Sequence, residues 1–305
     1  MKLGVVFPQT EIGADAAAVR RYATAVEAMG YDYLLAFEHV VGANPERPGP
    51  WQRGYNVHSM FHEPMVLFGY LAGLTSRVEF ATGILILPQR QTVLVAKQAA
   101  EVDLLSGGRL RLGVGVGWNS AEYVALGQSF ETRGRRQAEQ VVLLRKLWTQ
   151  RLVDFEGRYD HVPDAGIYPQ PIQRPIPVWF GGGSDATLRR MARLGDGWMP
   201  NYLPLDEMAE RLRVLRGLIV DAGRNPGTFG VDVRIDTSRT GEAEWPVTLE
   251  RLADVGITHV CVNTMNSGLS LDEHLDAAVR FRETALRVIG AAAASATRLA
   301  TPTEL

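Results

Sequence analysis

Along the chain, short unbroken apolar runs alternate with stretches in which apolar positions recur every three or four residues. Runs of the first kind read as strands and stretches of the second kind as helices. Strands are predicted at 3–7, 33–37, 78–87, 110–116, 177–180, 197–199, 229–235 and 259–263. Helices are predicted at 14–29, 63–74, 92–105, 120–126, 135–148, 185–193, 205–221, 245–255 and 271–288. In the first of these, Val19, Tyr22, Ala23 and Val26 share one face and Gly30 supplies the stop. Strand alternating with helix implies parallel pairing. Eight such units in 305 residues favour a closed (β/α)8 barrel over a doubly wound open sheet. Residues 1–289 then form a single barrel domain, and the Ala- and Thr-rich residues 290–305 a fraying tail. Two long connections stand out: 40–61, rich in Gly, Pro, Asn and Arg, and 153–175, which reads as an ordered loop or short hairpin. Connections of that length are usually functional.

Composition narrows the class. The formal charge of -2 points to no nucleic-acid or membrane surface. Cys261 is the single cysteine, so a disulfide framework is ruled out. The opening MKLGVVFPQ reads as a strand, since a proline follows too early for a signal peptide. No apolar run reaches the roughly 20 residues of a membrane span. A soluble cytoplasmic enzyme acting on a small molecule is the expectation.

Barrel chemistry gathers where strands end, which directs attention to 8–9, 38–39, 83–88, 115–122, 181–184, 200–202, 236–238 and 263–265. Gly113, Gly115 and Gly117 alternate along one strand and strip one of its faces of side chains. Another backbone or a flat ligand against that face is the economical reason. The spacing is not the GxGxxG dinucleotide fingerprint. Gly181, Gly182, Gly183 and Ser184 open a helix at a strand end, where free N–H groups suit a phosphate. The same residues read as a tight turn with Ser184 or Asp185 as the helix cap. Glu38-His39 ends the second strand, and a histidine there is suited to moving a proton or to a structural hydrogen bond. Gly83 and Ile84 lie inside an otherwise apolar strand and suggest a bulge or a close backbone approach. Trp118 walls a flat ring or fills the barrel mouth. His39, His58 and His62 lack metal-ligand spacing, so no metal is expected. Glu38, Glu63 and Glu122 form no fixed glycosidase pair, and Glu63 before Pro64 reads as a helix cap. Arg47, Arg53, Arg90, Arg133, Arg135 and Arg136 are spread over rim loops, either solvated or receiving an anionic tail.

The segments GYDYLLAFEHV, RVEFATGILILPQRQTVLVAKQAAEVDLLSGGRLRLGVGVGWNSAEY and PVWFGGGSDATLRRMARLGDGWMP resemble the bacterial luciferase-like monooxygenase superfamily. Within it the chain is most similar to the branch of F420-dependent oxidoreductases. The resemblance implies a (β/α)8 barrel, a homodimer, and F420 or FMN at the carboxyl rim. It implies cofactor phosphate at Gly181, Gly182, Gly183 and Ser184, and ring contact at Gly83 and Ile84; the side-chain-poor strand adds Gly115, Gly117 and Trp118 as further candidates for cofactor contact. It further implies a non-prolyl cis bond at Gly83-Ile84, and proton handling by His39 beside Glu38. One departure is visible: some sugar-phosphate-oxidising relatives carry a glutamate directly after the fourth strand's glycines, where this chain has Trp118. That leaves His39 as the leading proton-handling group, followed by Glu38, Glu122 and Tyr202. The implied activity is hydride transfer between F420 and a small organic substrate. The alternatives are an FMN- and dioxygen-dependent monooxygenase and a flavin-binding protein without turnover. Trp51, Tyr55 and Phe61 in the long loop suggest an apolar or planar guest.

Overall fold

The computed structural model describes residues 1–47 and 54–300. Its strands are β1 (Lys2–Val6), β2 (Tyr33–Ala36), β3 (Glu79–Thr82), β4 (Leu85–Ile86), β5 (Leu110–Gly115), β6 (Val153–Glu156), β7 (His161–Ala165), β8 (Val178–Gly181), β9 (Gly197–Met199), β10 (Gly230–Asp236) and β11 (His259–Asn263). Its helices are α1 (Ala16–Met29), α2 (Pro64–Ala72), α3 (Thr92–Ser106), α4 (Ser120–Ala125), α5 (Arg133–Thr149), α6 (Asp185–Leu194), α7 (Leu205–Asp221), α8 (Trp245–Val255) and α9 (Leu271–Ala300). Parallel pairing runs β1, β2, β3, β5, β8, β9, β10, β11 and returns to β1, which closes the barrel. Strands β6 and β7 form an antiparallel hairpin inside the proline-rich connection. Among the described residues no helix is long and apolar enough to cross a membrane.

Local chemistry sets the element ends. Asp15 caps α1 by accepting the Ala17 N–H at 2.9 Å, and Gly30, with φ of 81°, ends it in a left-handed turn. The face predicted from the sequence, Val19, Tyr22, Ala23 and Val26, is the buried one. Val19 and Val26 each contribute about 1.5–3 kcal/mol by leaving water.

Two elements differ from expectation. The run at 78–87 is not one strand. From Ala81 to Leu85 the chain takes four steps while its partner takes three, from Arg111 to Val114. The extra residue is a β-bulge at Gly83-Ile84, and that peptide bond is cis. Uninterrupted hydrophobicity hides such a break, because apolar periodicity carries no information on backbone pairing. The final helix, expected to stop at Val288, continues to Ala300, consistent with the high helix propensity of its alanines.

The barrel floor is polar and tightly filled. The Arg111 guanidinium lies between the Tyr33 and Trp179 rings, 4.4 Å from each centroid, and pairs with Asp232 at 3.0 Å. Tyr33 donates its hydroxyl to the same carboxylate at 2.7 Å. A Cβ at Gly4, Gly197 or Gly230 would fall 2.2 Å from one of these two rings, so these glycines are the room the aromatics occupy. Above them Leu35, Ala81, Met199 and Cys261 fill the interior, and Phe37 and Ile84 reach the mouth. The floor is thus sealed and the mouth is left open.

Candidate active site

A cleft of about 320 Å³ opens at the carboxyl ends of the strands, at the small end of the range typical of small-molecule sites. Phe37, Glu38, His39, Gly83, Ile84, Gly117, Trp118 and Gly181 line one side. Asn201, Arg234, Asp236, Arg239, Asn263 and Asn266 line the other.

The glycine ladder has an internal explanation. A Cβ at Gly113 would sit 1.9 Å from the Thr82 carbonyl oxygen. At Gly115 it would meet the Ile84 side chain at 2.5 Å, and at Gly181 the same side chain at 2.8 Å. The ladder therefore admits the bulge, and Ile84 is seated across Gly115 and Gly181. Gly115 lies beneath Ile84 and is not on the cleft wall, whereas Gly117 and Gly181 are.

His39 is held at the edge of this floor. Its side chain is 10% exposed, and its Nδ1 lies 3.5 Å from Glu122 Oε2. The rings of Phe61, Tyr55 and Trp118 stand around it at 5.0, 5.4 and 5.7 Å. With Nδ1 turned to Glu122, the imidazole lines the cleft. Glu122 is fully buried on α4. It also accepts the Val40 N–H at 2.6 Å, the Val41 N–H at 3.2 Å and the Gln89 side-chain amide at 3.2 Å. Burial pushes its carboxyl up, but the His39 ring and the two backbone N–H groups outweigh that and hold it below the usual value.

Glu38, expected beside His39 as a proton carrier, is engaged elsewhere. It pairs with Arg90, whose Nε lies 2.8 Å away, and accepts the Ile86 N–H at 2.5 Å. Arg90 also binds Glu63 at 2.7 Å, while Glu63 caps α2 through the Val66 N–H. Arg90 is therefore committed to the strand-three rim and does not reach for a tail. Arg133 stacks on Phe130 at 3.7 Å. Trp51 and Arg53 lie outside the described residues.

The long loop is tied at both ends. Gln9, which the sequence marks only as rim, accepts the His62 N–H at 3.2 Å and donates to the Phe37 carbonyl at 2.7 Å. Val57 donates to the Ala43 carbonyl at 3.0 Å, which forms a neck. Gly54, with φ of 93°, lies flat on Trp118, where a Cβ would come within 2.7 Å of the indole. Tyr55 and Phe61 are thereby placed on His39.

At the far edge, Ser184 caps α6. Its hydroxyl takes the Thr187 N–H at 3.3 Å, which is the turn reading of this segment. The Gly182 carbonyl accepts from the Trp198 indole at 2.6 Å and the Gly183 carbonyl from Arg211 at 2.8 Å. Both carbonyls are thus engaged by side chains. The remaining N–H groups of the first turn of α6 have no intrahelical acceptor. Gly182 holds φ of 91°, a conformation that favours glycine.

Sequence comparison agrees with this architecture. The profile of the luciferase-like monooxygenase family matches residues 1–240. The chain belongs to that family. With it, the protein is an oxidoreductase. An uncharacterized protein of Mycobacterium tuberculosis is 36% identical over 202 residues, covering 66% of this chain and 67% of that protein. The F420-dependent glucose-6-phosphate dehydrogenase of Amycolatopsis mediterranei is 33% identical over 184 residues, 58% of this chain and 51% of that enzyme. Two solved structures share the fold. A monooxygenase from Streptomyces bottropensis has a TM-score of 0.78 at 20% identity, covering 94% of this chain and 99% of that one. An F420-dependent secondary alcohol dehydrogenase has a TM-score of 0.76 at 17% identity, covering 93% and 98%.

Proposed function

We propose that this luciferase-like protein transfers a hydride between coenzyme F420 and a small organic substrate. The observation that carries the reading is the juxtaposition of the His39–Glu122 pair with a cleft floor poor in side chains, the floor being Gly83, Ile84, Gly117 and Gly181. A planar tricyclic ring fits such a floor, and its phosphate fits the first turn of α6, where Gly182 and Gly183 carry no side chain. When bound, F420 supplies a two-electron hydride carrier, which the protein itself lacks. His39 would hold the proton that accompanies the hydride at its Nε2, facing the substrate. Glu122 would fix the ring's orientation, acting as a positioning residue. Trp118, Tyr55 and Phe61 would keep water from that nitrogen. Trp118 stands where the resemblance places a glutamate in some sugar-phosphate-oxidising relatives, so oxidation of a sugar phosphate is not the reading favoured. The ranking of F420 over FMN is supported by the Amycolatopsis relative, which is named for that cofactor.

The test is an equilibrium titration of purified protein with F420 and with FMN, followed by oxygen uptake with each reduced cofactor. Tighter F420 binding without oxygen uptake is expected. Preference for FMN with oxygen uptake would make the protein a monooxygenase, and binding without reaction a flavin carrier. A homodimer in the cytoplasm belongs to the same reading. Val93, Leu94 and Tyr168, exposed around one shallow depression, offer it an apolar face, and sedimentation equilibrium would measure the assembly.

A further inference from the structure

The cleft contains a charge that the proton-handling pair does not use. Alternate residues of a strand face the same way, so Asp232, Arg234 and Asp236 of β10 share the barrel side. Asp232 is committed to Arg111 and the Tyr33 hydroxyl. Asp236 accepts the Asn263 amide at 2.6 Å. Arg234, half-buried between them, ion-pairs with neither. Among the described residues it has no carboxylate partner. The Phe37 ring lies 5.3 Å from its guanidinium, and it makes one long bond to the Pro200 carbonyl at 3.5 Å. A guanidinium carries five donors in a fixed fork matched to carboxylate and phosphate oxygens. Most of those donors are unspent, and the residue lines the cleft from β10, which stands four strands round the barrel from β3.

A second cation strengthens the wall. Arg239 stands 4.9 Å from the Tyr202 ring and also lines the cleft. With Asp236 counted against them, one positive charge remains in excess. Side-chain amides of Asn201, Asn263 and Asn266 complete the lining without adding charge. The bland alternative is a solvated rim arginine. Arg239 alone fits that description, being exposed, whereas Arg234 is packed on Phe37, two residues before His39.

We propose that Arg234, assisted by Arg239, receives an anionic group on the substrate: a carboxylate, sulfonate or phosphate presented across the cleft from His39. The role given to the substrate rests on the hydride-transfer reading; the existence of the anion site does not. Sulfate is a suitable probe for both sites that could take an anion. In cofactor-free Gly182→Leu protein, where the glycine turn is blocked, isothermal titration calorimetry should find one sulfate site. Adding Arg234→Gln should weaken it at least tenfold, and Arg234→Lys, which keeps the charge but loses the fork, should weaken it less. In F420-loaded protein with Gly182 intact, the same site should remain, and Arg234→Gln should leave cofactor affinity unchanged. Circular dichroism checks that each variant is folded. Sulfate binding unaltered by Arg234→Gln overturns the proposal. So does a parallel loss of cofactor affinity, which would assign the arginine to the cofactor. If no cofactor binds at all, the hydride reading fails while the calorimetric arm still decides the anion site.

Discussion

Replacing Glu122 by Gln tests the link between the buried carboxylate, His39 and the long loop. Glu122 Oε1 accepts the N–H groups of Val40 and Val41 at 2.6 and 3.2 Å, and Oε2 faces Gln89 Nε2 and His39 Nδ1 at 3.2 and 3.5 Å. A glutamine keeps the first pair of bonds. Its amide nitrogen would then face the Gln89 amide, itself a donor, and the negative charge beside His39 Nδ1 would be gone, so the charge-assisted contacts are lost. Hydrogen bonds to a charged group are worth about 1.5–3 kcal/mol, and that is the expected loss at neutral pH. The pH dependence follows from the sign of the shift. The folded-state pKa of Glu122 is lowered, against an unfolded value of about 4.3. Its contribution is therefore present in full above the unfolded value and disappears as pH falls through the folded one. Urea denaturation of both proteins should show the full gap at about pH 7 and a smaller gap below about pH 4. A gap under about 0.5 kcal/mol at neutral pH, or one that does not change with pH, would refute the argument.

Three further outcomes are expected. Gly115→Ala would put a Cβ 2.5 Å from Ile84 and should cost about 1–3 kcal/mol by overpacking; Ile84→Ala in the same chain should restore much of it, and a purely additive double mutant in thermal melts would contradict the contact. Gly182→Leu should abolish F420 binding in fluorescence titration, since it forces a side chain at φ of 91° onto the first turn of α6; unchanged affinity would remove the phosphate assignment. His259, whose pKa burial and then the charges of Arg111, Lys2 and the amino terminus lower to about 3, should read as neutral by NMR at pH 5, so that the folded state loses stability as pH falls below the unfolded value of about 6.5; a ring titrating near 6.5 would show that it is solvated.

The barrel was legible because alternation of strand and helix is written directly in hydrophobic spacing. Residue type marked His39, Gly83-Ile84 and the Gly181–Ser184 turn, since each is chemically unusual at a strand end. What the sequence could not carry was pairing across distance. Glu122 stands 83 residues after His39, and only closure of the barrel joins them. Glu38 ranks next after His39 for proton transfer by residue type alone, and nothing in the local sequence shows that Arg90 holds it. The side-chain-poor face of β5 correctly signalled a bulky neighbour, but that neighbour at Gly115 is Ile84 of the same chain. Arg234 gave no signal at all, because an arginine in a strand looks the same whether or not an acid answers it.

The proposed function requires a flat redox cofactor lying against Ile84 with its phosphate on the α6 turn. A crystal structure of the protein soaked with F420 tests this most directly. The prediction is a ring packed on Ile84 within reach of His39 and phosphate oxygens on the N–H groups around Gly182 and Gly183. Density for the ring anywhere else, or phosphate held away from that turn, would contradict it.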